Sequence, residues 1–252
     1  MHFLSPKLTL TSALLVCTWL TTTLPASTLA HWTFDNFSPG TRIDEVSGNG
    51  ITLSAGANGM PKASHEAPSA AKIKASAVFT PDGGTGSHLM TASALPVFNF
   101  PQGQPFTIEG WFCLDALAET KPQTLVSNRG LPDGCTVAIS QGKLLFQLQA
   151  GGQNLINLEC LTTLKPQTWY FFAVSRGENG LLSASLYNEA GHVETVDSAR
   201  AANGAINSSS KLYVGRRGDR QGAGDFLNGK ISELRISDIQ VPTGQLLFNA
   251  KK

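Results

Sequence analysis

The sequence predicts an all-β chain folded as a single sandwich, on three observations. Apolar residues almost never recur at the three- and four-residue spacing of a helix. Short apolar or alternating runs recur from one end of the chain to the other, and Gly, Pro, Asn and Asp punctuate them. With 25 Gly and 13 Pro in 252 residues, turn formers are plentiful enough to separate every strand expected below.

In chain order, AHWTFD (residues 30–35) opens the series, with Trp32 and Phe34 two apart and so on one face. ITLSA (51–55), SAVFT (76–80) and HLMTAS (88–93) follow. FTIEGWFCLD (106–115) is apolar on both faces, the pattern of a central strand covered on both sides. TLVSNR (124–129) precedes CTVAIS (135–140), KLLFQLQ (143–149) and LINLECL (155–161). The last three are joined by SQGK and AGGQN, whose glycines supply positive φ, and should form a meander. TWYFFAVSR (168–176) again reads as central, and LSASLYN (182–188), KLYVGR (211–216) and GKISELRIS (229–237) complete the set. Residues 55–76, rich in Ala, Ser, Lys and Pro without a clear period, read as a surface loop.

Ahead of these strands, Lys7 is followed by the apolar run at residues 8–20 and by TTTLPASTLA with its small residues. That order is the pattern of a secretory signal peptide, and the run is too short to span a bilayer. Residues 1–30 are therefore read as a leader cut after Ala30, with Ala26 as the alternative. Residues 31–238 form one domain and 239–252 a C-terminal tail, and the chain is expected to be secreted, periplasmic or at the cell surface. Cys17 reads as apolar filler, since Val16 sits where an acylation signal wants a small residue.

Removing 30 of the 252 residues leaves 222 and takes away one of the 19 basic residues, Lys7, and no acid, so charges of the two signs balance. Without a basic excess there is no electrostatic footprint for nucleic acid or an anionic membrane. Only 15% of residues are charged, so Ser, Thr, Asn, Gln and Gly must cover much of the surface. Cys113, Cys135 and Cys160 allow at most one disulfide within the chain, and spacing does not choose among three pairings.

Five stretches, in order, resemble laminin-G-like jelly-roll domains of the concanavalin A-like lectin and glucanase superfamily. They are HWTFDNFSPGTRIDEVSGNG, AVFTPDGG, FTIEGWF, TWYFFAVS with SLYN, and LYVGRR followed by FLNGKISELRIS. The resemblance implies two antiparallel sheets packed face to face, often with calcium, and a binding or adhesive role. Two departures stand out. Tyr170 and Phe171 replace a His common after Trp169, and Ser232 replaces an acid before Glu233.

The same fold houses glycoside hydrolases, which need two carboxyl groups roughly 5 to 9.5 Å apart. No Glu-x-Asp run exists, and Glu109 and Asp115 share a strand face but stand about 20 Å apart. No catalytic residue is therefore assigned, and the chain is read as a binder and not an enzyme. Asp35, Asp44, Asn49, Gly50 and Glu233 are the candidate ligands of a structural calcium, which wants six to eight oxygens. The alternative makes Asn49-Gly50 a plain turn and leaves Glu233 to pair with Arg235 or Arg42. Trp32, Trp111 and Trp169 sit among apolar neighbours and read as core. Tyr213, Arg129, Arg216, Arg217 and Arg220 are the candidate ligand-binding residues, chosen by loop position. The expected partner is a glycan or extracellular polysaccharide, or else an extracellular protein. Arg217-Gly218-Asp219 also matches an adhesion tripeptide, a match short enough to arise by chance.

Overall fold

A computed structural model describes residues 27–35, 42–57, 59–82, 85–130, 132–219 and 225–249. Among them lie two eight-stranded antiparallel sheets packed face to face. From edge to edge the first runs Gly191–Asp197, Leu182–Asn188, Trp169–Arg176, Phe106–Leu114, Gly229–Ser237, Ser76–Phe79 and Lys62–Ser64. Thr28–Thr33 joins it by pairing with Gly229–Ser237. The second runs Ile156–Glu159, Lys143–Gln149, Gly134–Ser140, Gln123–Ser127, Tyr213–Val214, Leu89–Met90, Thr52–Ala55 and Ile43–Asp44. The all-β sandwich expected from the sequence is the fold observed.

Period-two alternation builds the core. On Phe106–Leu114, all nine residues are buried. Phe106, Ile108, Phe112 and Leu114 point between the sheets, where Trp32, Phe79, Phe146 and Phe172 meet them. Thr107, Glu109, Trp111 and Cys113 alternate with these and face away from that core. Gly110 is obligatory, because a Cβ there would lie 2.3 Å from the carbonyl oxygen of Glu233. At that point the pairing slips by one residue, leaving Ser232 as the bulged extra. Ser232 is fully buried and donates its hydroxyl to the Ala75 carbonyl at 2.8 Å, a place where an acid would meet another oxygen.

The outer face of the first sheet is covered by the chain itself. Trp111, Phe171 and Tyr187 form a second apolar cluster with Ala71, Val241 and Leu246, and Phe248 packs against it. Ring centroids of Phe248 lie 5.6 Å from Trp111, 5.7 Å from Phe171 and 4.7 Å from Tyr187. Residues 239–249 are thus packed onto the domain, with short 3₁₀ turns at Thr243–Gln245 and Leu247–Asn249. Part of the expected surface loop also pairs, with Lys62–Ser64 laid beside Ser76–Phe79.

At one end of the sandwich the fully buried Arg176 donates to the carbonyls of Pro101, Gln104, Ala202 and Gly204 at 2.6 to 3.2 Å. Its guanidinium lies over the Phe106 ring, so one cation clamps two loops to the end of a central strand. Cys113, Cys135 and Cys160 are buried free thiols. Burial pushes the first up to about 11 and the other two to about 12. Among the described residues no helix is long and apolar enough to cross a membrane.

Candidate functional site

The five residues expected around calcium are not brought together as a donor set. Asp35 accepts from the Lys74 backbone N–H at 3.0 Å, and Asp44 pairs with Arg42 at 3.1 Å. Glu233 bonds the His31 ring at 2.7 Å. Asn49 turns its amide nitrogen, a donor, to the carbonyls of Thr28 and Leu29 at 2.9 and 3.0 Å. The Gly50 N–H is taken by Glu45 at 2.7 Å. Among the described residues, no three His, Cys, Asp or Glu side chains lie close enough to hold a metal ion. Asp35, Asp44, Asn49 and Glu233 are thus each turned to a different protein partner.

Glu45, which sequence reading passed over, organises that turn. Burial works to raise its carboxyl. The Ser47 hydroxyl and the backbone N–H groups of Gly50, Ser47 and Asn49 outweigh this and hold it below the usual carboxylate range.

The carboxylates on the central strand are held separately. Glu109 is fully buried, bonded to the Arg235 guanidinium, with its Nε at 2.7 Å, and to the Leu247 N–H at 2.9 Å. Burial pushes its carboxyl up against the pull of Arg235 and Leu247. Asp115 is engaged by Lys230 at 2.8 Å. Packed beneath residues 241–248, Glu109 has no open groove in front of it.

The outer face of the second sheet is different. Strand register sets Tyr213 beside Ser127, Ser127 beside Thr136, Thr136 beside Gln147, and Gln147 beside Asn157. A row of one phenol, two hydroxyls and two carboxamides therefore crosses five strands. Four gaps of about 4.8 Å give it a length of roughly 19 Å. Neighbours in the row are bonded in pairs, Ser127 to Thr136 at 2.9 Å and Gln147 to Asn157 at 2.9 Å.

Arg129 follows Ser127 at the middle of this row, its backbone N–H donating to the Ser127 hydroxyl at 3.1 Å and its guanidinium reaching Gln149 at 3.5 Å. It also pairs with Asp219 at 3.4 Å, and Arg217 binds the same carboxylate at 2.5 Å and Asp225 at 3.6 Å. Arg216 stacks over the rings of Tyr213 and Phe226, 5.6 Å from each centroid. His88 packs 6.0 Å from both rings, and burial pulls its imidazole below its ordinary value, toward the neutral form. Four of the five residues chosen by loop position thus share one face, and Arg220 lies outside the described residues. The adhesion tripeptide is closed on itself, since Arg217 and Asp219 bind each other and are nearly buried.

Beyond Gln149, whose amide donates to the Gln153 carbonyl at 2.9 Å, a groove of about 450 Å³ opens. It is lined by Gly152, Gln153, Asn154, Ile156, Arg200 and Ala201. Sequence reading missed Gln147, Gln149, Asn157, His88 and Phe226. Alternation along single strands carries no signal for a row that exists only across strands.

A two-sheet jelly-roll with one self-covered face and one polar face defines a class of β-sandwich. More closely, the chain belongs to the concanavalin A-like lectin/glucanases superfamily, whose family model matches residues 82–245. No curated protein matches the sequence. Among solved structures, the binding domain of Paraclostridial Mosquitocidal Protein 1 is similar at 14% identity and a TM-score of 0.62, over 89% of this chain and 52% of that one. The binding domain of Botulinum neurotoxin DC, solved with rat synaptotagmin II, is similar at 12% identity and a TM-score of 0.60, over 90% and 52%. The Botulinum Neurotoxin DC domain solved with SialylT gives the same four figures. The chain spans about half the length of these domains, and at such identities the likeness is one of fold.

Proposed function

We propose that this chain is an exported, non-catalytic carbohydrate-binding module whose ligand lies on the outer face of the second sheet. The observation that carries the reading is the row Tyr213, Ser127, Thr136, Gln147 and Asn157, in which Ser127 and Thr136 are buried and Tyr213, Gln147 and Asn157 are open to a ligand. Sugar recognition needs planar amides and hydroxyls to pair with ligand hydroxyls, and an aromatic face to lie against the apolar side of a ring. The row supplies the first at Gln147 and Asn157, with the half-buried Tyr213 supplying the second. Arg129 and Arg217, both nearly buried and paired with Asp219, brace this end of the row from behind, and a platform held rigid before binding lowers the ordering cost. On the first sheet, residues 239–249 cover the outer face over Trp111, Phe171 and Tyr187. The absence of catalysis is argued from Glu109 and Asp115, each engaged by its own cation. That a domain of this fold was solved with SialylT supports a glycan as ligand; the one solved with synaptotagmin II makes a protein partner the outcome to test against.

The test is a glycan array probed with the full chain, with and without EDTA, followed by calorimetry on the best ligand. Selective, EDTA-insensitive binding is expected. Silence on the array together with capture of an extracellular protein, or turnover of any bound glycan, would overturn the reading.

A further inference from the structure

The sequence offers two small residues at which the leader could be cut, Ala30 and Ala26, and the first strand discriminates between them. That strand is Thr28–Thr33, so a cut after Ala30 would fall in its middle. Upstream of that cut, Thr28 pairs with Ser237 and Ala30 with Ile236. The Ser27 carbonyl accepts the Asp238 N–H at 3.1 Å. Ala30 is fully buried in the main core, and Leu29 packs against it. The Asn49 amide donates to the carbonyls of Thr28 and Leu29, its two shortest hydrogen bonds. A groove of about 380 Å³ has Ser27, Thr28 and Leu29 as one wall and Leu95, Pro96 and Val97 as another.

We propose that the leader is cut between Ala26 and Ser27, so that the mature chain begins at Ser27. The inference rests on the export reading above and goes beyond it, in assigning the processed bond. A cut after Ala30 leaves only His31, Trp32 and Thr33 to pair with the last strand. It strips backbone partners from Ile236, Ser237 and Asp238, and removes the two carbonyl acceptors of Asn49. A cut after Ala26 keeps every one of these contacts. Ala26 is also the nearer of the two sites to the apolar run that ends at Leu20.

The experiment is to express the full chain with its own leader in an exporting bacterial host and read the N-terminal peptide by mass spectrometry. A peptide starting at Ser27 is expected, and one starting at His31 overturns the assignment while leaving export intact. An N-terminus at Met1, or a lipid-bearing Cys17, overturns the cleaved-leader reading itself, so the two failures are told apart. A second measurement does not depend on the host. Chains starting at Ser27 and at His31, released from a cleavable tag, are melted side by side. The shorter chain is expected to lose roughly 5 °C or more in Tm, and equal melting would remove the physical basis of the proposal.

Discussion

Replacing Phe248 with Ala tests whether residues 239–249 are part of the fold or an appendage to it. Phe248 touches Trp111, Phe171 and Tyr187. Fully buried Phe-to-Ala changes cost about 3 to 5 kcal/mol. Phe248 is half-buried, so about half of that applies, and the three ring contacts add a fraction more. The expected loss is about 2 to 3 kcal/mol, which in a domain of this size lowers Tm by roughly 5 to 10 °C. Calorimetry measures the shift, and a red shift of tryptophan emission reports water reaching Trp111. Leu161→Ala, at a side chain 76% exposed, is the control and should stay within about 0.5 kcal/mol of wild type. A Phe248→Ala protein that melts with wild type and keeps its emission would refute the assignment of these residues to the core.

Glu109→Ala leaves Arg235 in a nearly buried site without its carboxylate and should cost about 3 to 5 kcal/mol in urea unfolding. Replacing both residues with Met should recover much of that loss, and a double variant no better than the single would show that charge pairing is not the cause. Glu45 has its folded-state pKa lowered, so its contribution is present at neutral pH and is lost as pH falls through that folded-state value. Glu45→Gln should therefore be about 1 to 2 kcal/mol less stable at pH 7 and converge on wild type in acid; a gap independent of pH would contradict this. The three thiols, buried and raised to about 11 or 12, should resist a thiol reagent in the native protein and all react in denaturant.

The strands with the strongest apolar signal were legible in the sequence to within a residue or two. Residues 106–115 and 168–176, apolar on both faces, are central in the first sheet because the outer side is covered as well. Gly191–Asp197 was not legible. It is an edge strand with no fully buried side chain, so its sequence GHVETVD needs no apolar face. The packed C-terminal segment escaped for a related reason, as Val241, Leu246 and Phe248 reach the sheet through turns and follow no period. At the candidate site, loop position points to Arg129, Arg216, Arg217 and Tyr213 one by one and does not show that they group. The cause is the pairing of Tyr213 with Ser127, 86 residues away in sequence, which no local pattern encodes. Side-chain direction in the calcium set was not legible either. Asp35, Asp44, Asn49 and Glu233 are of the right types, but their polar atoms point to Lys74, Arg42, the first strand and His31.

The most direct measurement of the account is calorimetric titration of the best array ligand into wild type, Gln147→Ala and Asn157→Ala. Both side chains sit at the accessible end of the row, so the folds should be unperturbed and Tm should stay within a degree or two. Affinity should fall at least about tenfold in each, equivalent to roughly 1.4 kcal/mol. Wild-type affinity in both variants would mean that the ligand binds elsewhere and that the polar row is only surface.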